Sequence, residues 1–336
     1  MTGLKKSIPA IAALALLGSV AMPAMAAEAP GEGKTIKMAQ ATWDTGWFHS
    51  EIYKQLFEEL GYTVDGPTTL DNPPFYQAVG YGDVDLWVNG WFPIHDTYRP
   101  AFEESAEIIG AVAAGGALQG YLVDKASAEK FDIKTLDDFK RDEVKEAFDR
   151  DGDGKADLVA CPPGWGCEVA IEGHLTEYGL KDHINEIKAS YSASMADAVA
   201  AHDSGEPILF YTWTPNWTVN ELKLGEDVVW IQVPEEANEE NAAAGIASCV
   251  ADPCVMGFEA NDIVPVANSK FLEENPAVAA VLKTASIPLE DIFAQNSAMN
   301  DGADSPEDIK KQASDWIEKN REMVDGWLEE ARKAVD

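Results

Sequence analysis

Residues 35–64 read TIKMAQATWDTGWFHSEIYKQLFEELGYTV, and this stretch decides the fold. Thr35–Ala39 reads as a strand. Glu51–Leu60 reads as a helix with Ile52, Leu56 and Leu60 on one face, and Gly61 stops it before a second strand at Tyr62–Val64. A strand, a helix and a strand in that order are the unit from which sheets covered by helices are built, so the fold class is α/β. The grammar continues outward. Thr135 is placed to cap a helix running through Phe148, and Ser194 to cap one ending near Gly205. Ile208–Tyr211 and Val228–Val233 read as strands. Asn275-Pro276 opens another helix, and Ser305-Pro306 opens a long amphipathic one that buries Ile309, Ala313, Trp316, Ile317, Val324, Trp327 and Leu328. Pro234–Ala244 reads as a polar, acidic loop.

The chain of 336 residues opens with Lys5 and Lys6, an apolar run from Ile8 to Met22, and Ala24-Met25-Ala26. That is the pattern of a secretory signal peptide over residues 1–26, with the exported chain beginning at Ala27. The run is shorter than the roughly 20 residues of a membrane-spanning helix. The remaining chain of about 310 residues exceeds what one hydrophobic core supports, which makes two lobes the expectation. Residues 1–26 hold two lysines and no acids, so their removal takes the net charge from −34 to −36. Nucleic acid and anionic membrane are poor partners for such a chain. The four cysteines, Cys161, Cys167, Cys249 and Cys254, suit an oxidising compartment. They admit three pairings, of which the local one, closing two short loops, is the simplest. A redox dithiol or a zinc site is disfavoured by the spacing.

Three tryptophans stand on stiff turns: Trp91 in NGWFPIHD, Trp165 in CPPGWGC and Trp213 in FYTWTP. Flat rings on inflexible backbone suit an aromatic wall for a cation. A trimethylammonium group has no N–H to donate, so recognition has to come from ring faces. Trp91 and His95 are expected on the loop leaving a strand at Val84–Val88, where α/β proteins place ligand contacts, and His95 is a candidate donor to an anionic or oxide oxygen. Gly166 and Cys167 precede the helical run Glu168–His174, so their N–H groups are candidates for an anion. The segment Asp149, Asp151, Asp153, Lys155, Asp157 follows the spacing of a calcium loop but has Ala160 where the bidentate Glu would stand. Structural calcium and a plain acidic turn are the two readings of it, and no cofactor is required.

With ELGYTV, DGDGKADL, PGWGCE, YTWTP, NELK and DVVW in order, the chain from about Ile36 onward resembles the periplasmic glycine betaine/proline betaine binding proteins of ABC importers. The resemblance implies the two-lobed type II fold, each lobe a β-sheet with flanking helices, with the ligand in the cleft. Residues 27–116 with 255–336 would form one lobe and 117–254 the other. It implies an ammonium box of Trp91, Trp165 and Trp213, a carboxylate held by His95 and the backbone of Gly166 and Cys167, and a Cys161–Cys167 disulfide. It implies a periplasmic monomer that is not an enzyme and delivers its ligand to an inner-membrane permease. Trp43 and Trp47 depart from the pattern. Either would add a fourth wall and shrink the box, favouring trimethylamine N-oxide over glycine betaine, or would simply pack under the first loop. A proline betaine or choline receptor and a secreted metal-dependent enzyme are the alternatives.

Overall fold

A computed structural model describes residues 29–236 and 242–335. The signal-peptide reading, 1–26, lies outside these residues, as does 237–241 of the acidic loop. The strands are β1 (Thr35–Ala41), β2 (Thr63–Leu70), β3 (Leu86–Phe92), β4 (Ala106–Ile108), β5 (Ala113–Asp124), β6 (Ala156–Val159), β7 (Ile184–Ile187), β8 (Leu209–Thr214), β9 (Val228–Ile231), β10 (Ala242–Ala243), β11 (Cys254–Val255) and β12 (Asn261–Asn268). The helices are α1 (Trp47–Glu59), α2 (Asn72–Tyr81), α3 (Lys125–Phe131), α4 (Asp142–Phe148), α5 (Gly166–Glu177), α6 (Tyr191–Asp203), α7 (Thr218–Glu221), α8 (Ser269–Glu274), α9 (Pro276–Thr284), α10 (Leu289–Asn300), α11 (Pro306–Lys319) and α12 (Arg321–Lys333).

The opening unit folds as its sequence dictates. β1 and β2 pair in parallel around α1, which buries Phe48, Ile52 and Leu56 at four-residue intervals. The main sheet runs β2-β1-β3-β12-β5-β8-β6-β7, with β4 against β12 and β9 against β5. One strand joins its two halves. The first part of β5 pairs with β12, Ala113 opposite Ile263 and Ala117 opposite Asn261. The rest, from Leu118 to Val123, pairs with β8. Between the first of these pairings and the last stand Gly115 and Gly116, both at positive φ, where any other residue would be strained.

Several boundaries differ from expectation for identifiable reasons. β3 and β8 run past Trp91 and Trp213, which lie within strands because β12 and β5 supply them with partners, Ile263 and Gln119. Ser194 lies inside α6, which begins a turn earlier so that Tyr191, Met195 and Ala198 share one buried face. The long C-terminal helix is two helices. Asn320 stands between α11 and α12 with its side-chain amide donating to the Trp316 carbonyl at 2.9 Å, a local bond that competes with helix continuation. Trp316 and Trp327 stack across this break, 6.3 Å between centroids.

Beneath the cleft an aromatic block fixes β3. Trp87 stacks on Phe75 of α2 at 3.8 Å, and Tyr76 stacks on Tyr98 and Phe102. Trp87, Phe75 and Tyr76 have no exposed surface. Aromatic contacts at this density pack like a crystal and hold the following turn, 93–101, in one place.

Candidate functional site

A cavity with about 320 Å³ of space free of protein atoms, part of it open solvent, lies between the two halves of the sheet. Trp43, Trp91, Ile94 and His95 line it from the β1–β3 side. Gln119, Trp165, Gly166, Cys167, Tyr211 and Trp213 line it from the β5–β8 side. Each of the four tryptophans is less than 9% exposed. Trp165 stands nearly perpendicular to Trp43, at 5.4 Å and 72°, and to Trp213, at 5.6 Å and 75°. Neighbours set at such angles offer ring faces from different directions instead of hiding them in a stack.

Each wall is mounted by its own local chemistry. Trp91 is the penultimate residue of β3 and Trp213 of β8, so both inherit the rigidity of the ladder. Trp165 sits immediately before α5 on a turn closed by the Cys161–Cys167 disulfide, and Cys249 pairs with Cys254. Gly164 in that turn has φ +92° and donates its N–H to Glu168 Oε2 at 2.9 Å. The indole of Trp165 reaches across the cleft: its Nε1–H donates to Thr42 Oγ1 at 2.8 Å, and the Thr42 hydroxyl donates to Asp71 Oδ1 at 2.7 Å. Gly166 and Cys167 open α5, whose first N–H groups have no acceptor within the helix, and both residues border the cavity.

One expectation is corrected. Trp47 is not a wall. It is the first residue of α1, and its Nε1–H turns back to the Ala41 carbonyl at 2.8 Å, closing the loop 42–46 from beneath. Trp43 alone adds the fourth ring. His95 lines the cavity with both ring nitrogens within hydrogen-bond distance of protein groups. Its Nδ1 accepts from the Trp91 N–H at 3.1 Å and lies 2.8 Å from the Tyr76 hydroxyl, and its Nε2 lies 3.0 Å from the Asn72 amide nitrogen.

Burial pushes the His95 pKa down to about 3. The folded ring is therefore neutral, while the unfolded chain protonates it below about pH 6.5. Its contribution to stability is complete above pH 6.5 and is lost as pH falls toward 3, at up to about 1.4 kcal/mol per pH unit. In urea melts between pH 7 and pH 4, His95→Gln is expected to flatten the acid limb by up to that slope. An unchanged slope would mean that the wild-type ring protonates in place.

The carboxylates of Asp149, Asp151 and Asp153 offer oxygens within 4.8 Å of one another. Asp157 does not join them, because it is buried with Oδ2 accepting from the Arg150 N–H and Oδ1 from Asn185. The Lys155 ammonium is turned away to the Lys181 carbonyl.

Sequence reading missed Ile94, Gln119 and Tyr211. Strand alternation carried the signal for Tyr211, two residues before Trp213 and so on the same face. Nothing local pointed to Gln119, which reaches the site through the register that sets it opposite Trp213.

Residues 34–319 match the substrate binding domain of ABC-type glycine betaine transport systems. The chain is 38% identical over 307 residues to the glycine betaine-binding periplasmic protein OusX of Dickeya dadantii (strain 3937), covering 91% of this chain and 92% of that protein. It is 38% identical over 312 residues to the glycine betaine/proline betaine-binding periplasmic protein of Escherichia coli (strain K12), covering 92% and 93%. The trimethylamine N-oxide-binding protein of Pelagibacter ubique (strain HTCC1062) is 24% identical over 330 residues, covering 95% and 98%. Among solved structures, the glycine betaine, L-proline transporter binding protein of Borrelia burgdorferi superposes with a TM-score of 0.71 at 19% identity, covering 90% of this chain and all of that one. That likeness is one of fold, the two-lobed α/β architecture of substrate-binding proteins. By sequence and by fold the chain belongs to the family of substrate-binding domains of ABC-type glycine betaine transport systems.

Proposed function

We propose that this chain is the periplasmic binding component of an ABC importer, not an enzyme, and that it captures a small methylated ammonium compound between four tryptophans for delivery to a membrane permease. The observation that carries this reading is the arrangement of Trp43, Trp91, Trp165 and Trp213 around one cavity, two from each half of the sheet. Each ring face contributes roughly 0.5–2 kcal/mol to a desolvated cation. A box of four rings leaves less room beside the methyl groups than a box of three, which supports trimethylamine N-oxide as the ligand. Glycine betaine is the second reading. It is supported by the open N–H groups of Gly166 and Cys167 beside the box and by the relatives at 38% identity.

The lobes in this reading are residues 27–116 with 255–336, and 117–254, closing about Gly115–Gly116 and the return segment before β12. Closure requires that the ligand's contacts be better in the closed state than in the open one. Calorimetric titration of the ligand-free mature protein with trimethylamine N-oxide, glycine betaine, proline betaine and choline tests the assignment. Tight binding confined to trimethylamine N-oxide is the expected result. Tighter glycine betaine binding would select the second reading, and silence from all four would overturn both.

The same reading holds calcium as a structural ion of Asp149, Asp151 and Asp153, whose hard oxygens suit it. Chelation by EGTA is expected to lower the melting temperature by roughly 5 °C, and Asp151→Asn to abolish the response. Identical melts with and without calcium would leave a plain acidic turn.

A further inference from the structure

Gln119 on β5 pairs directly with Trp213 on β8, and Tyr211 occupies the same face of β8 one diagonal away. All three border the cavity. Gln119 is 3% exposed. Its Oε1 accepts from the Tyr211 hydroxyl at 2.5 Å, whereas its Nε2 is buried without a protein partner. Buried amide hydrogens are seldom left unpaired, and those that are call for an explanation. With the oxygen held by Tyr211, the amide offers the cavity donors. A trimethylammonium group has no lone pair to accept them, so the donor addresses the other end of the ligand.

We propose that Gln119 Nε2 donates a hydrogen bond to the acceptor oxygen of the bound ligand and thereby selects methylated ammonium compounds that carry an N-oxide or carboxylate oxygen over those that carry only carbon substituents. Tyr211 is the positioning residue that keeps the amide in this orientation. The inference rests on the four-tryptophan reading above, which supplies the cation end of the ligand.

The test compares trimethylamine N-oxide with tetramethylammonium, which presents a methyl group where the N-oxide presents oxygen and is otherwise nearly the same shape. Calorimetric affinities are measured for the full mature protein and for Gln119→Leu, Gln119→Glu and Tyr211→Phe. Gln119→Leu is expected to weaken N-oxide binding about tenfold or more and to change tetramethylammonium binding less than threefold. Gln119→Glu should move the two ligands in opposite directions, because a carboxylate repels the ligand oxygen and attracts the bare cation. Tyr211→Phe leaves Gln119 in place and is expected to reduce the preference for the N-oxide by about threefold by releasing the amide. Parallel shifts of both ligands in every folded variant would overturn the role of Gln119 while leaving the box intact. A wild-type protein that binds neither of these compounds nor glycine betaine would overturn the box reading and this inference with it.

Discussion

Trp165→Ala is expected to weaken binding of the preferred methylated ammonium compound by at least about 100-fold, close to 2.7 kcal/mol. The loss has two sources. The first is a ring face: Trp165 stands between Trp43 and Trp213 at 5.4 and 5.6 Å, so its removal opens the box on the side where the two lobes meet. A desolvated cation–π contact accounts for about 2 kcal/mol of the effect. The second is the bond from its Nε1–H to Thr42 Oγ1, which spans the cleft and is itself anchored on Asp71. A hydrogen bond of this kind contributes about 1 kcal/mol, and only in the closed state. Trp165→Phe separates the two, because it keeps a ring and removes the donor. It should lose about fivefold, matching Thr42→Val, and the double variant should lose little more than either alone. Calorimetry supplies the affinities, and circular dichroism confirms that the ligand-free variants remain folded. An affinity within threefold of wild type for Trp165→Ala would remove this ring from the site.

The parts of this molecule that were legible in its sequence are those governed by local rules. The β1–α1–β2 unit follows from periodicity and from Gly61. Trp91, Trp165 and Trp213 announce themselves through the prolines and glycines beside them, and the local cysteine pairing is the one the fold adopts. What escaped depends on partners distant in sequence. Trp91 and Trp213 were expected at strand ends because the strands β12 and β5 that extend their ladders lie about 170 and 90 residues away. Trp43 and Trp47 have similar surroundings in sequence. Only the geometry of the first turn of α1 separates them, sending one indole to the cavity and the other back to Ala41. His95 reads as a candidate donor from its place beside Trp91. Its other partners, Tyr76 and Asn72, come from a different element.

Gly166→Ala carries the other large effect, and its signature differs from the loss of a wall. The backbone of Gly166 is helical, so alanine meets no conformational objection at the start of α5 and is a slightly better helix residue. The objection comes from across the cleft. A Cβ on Gly166 would lie 2.7 Å from His95 Cδ2 and 3.1 Å from its Nε2, well inside van der Waals contact. His95 cannot turn aside, because Trp91 N–H and the Tyr76 hydroxyl hold its Nδ1 and the ring is 3% exposed. The only relief is for α5 to withdraw from the turn at 93–101, which is the direction of cleft opening. The variant should therefore fold with a ligand-free melting temperature equal to or slightly above that of wild type, and yet lose about 100-fold or more in affinity. Small-angle scattering at saturating ligand should show wild type contracting and Gly166→Ala remaining extended. A variant that binds within threefold of wild type and contracts normally would mean that the cleft closes without bringing α5 against His95, and the close approach of these two residues would then have no part in capture.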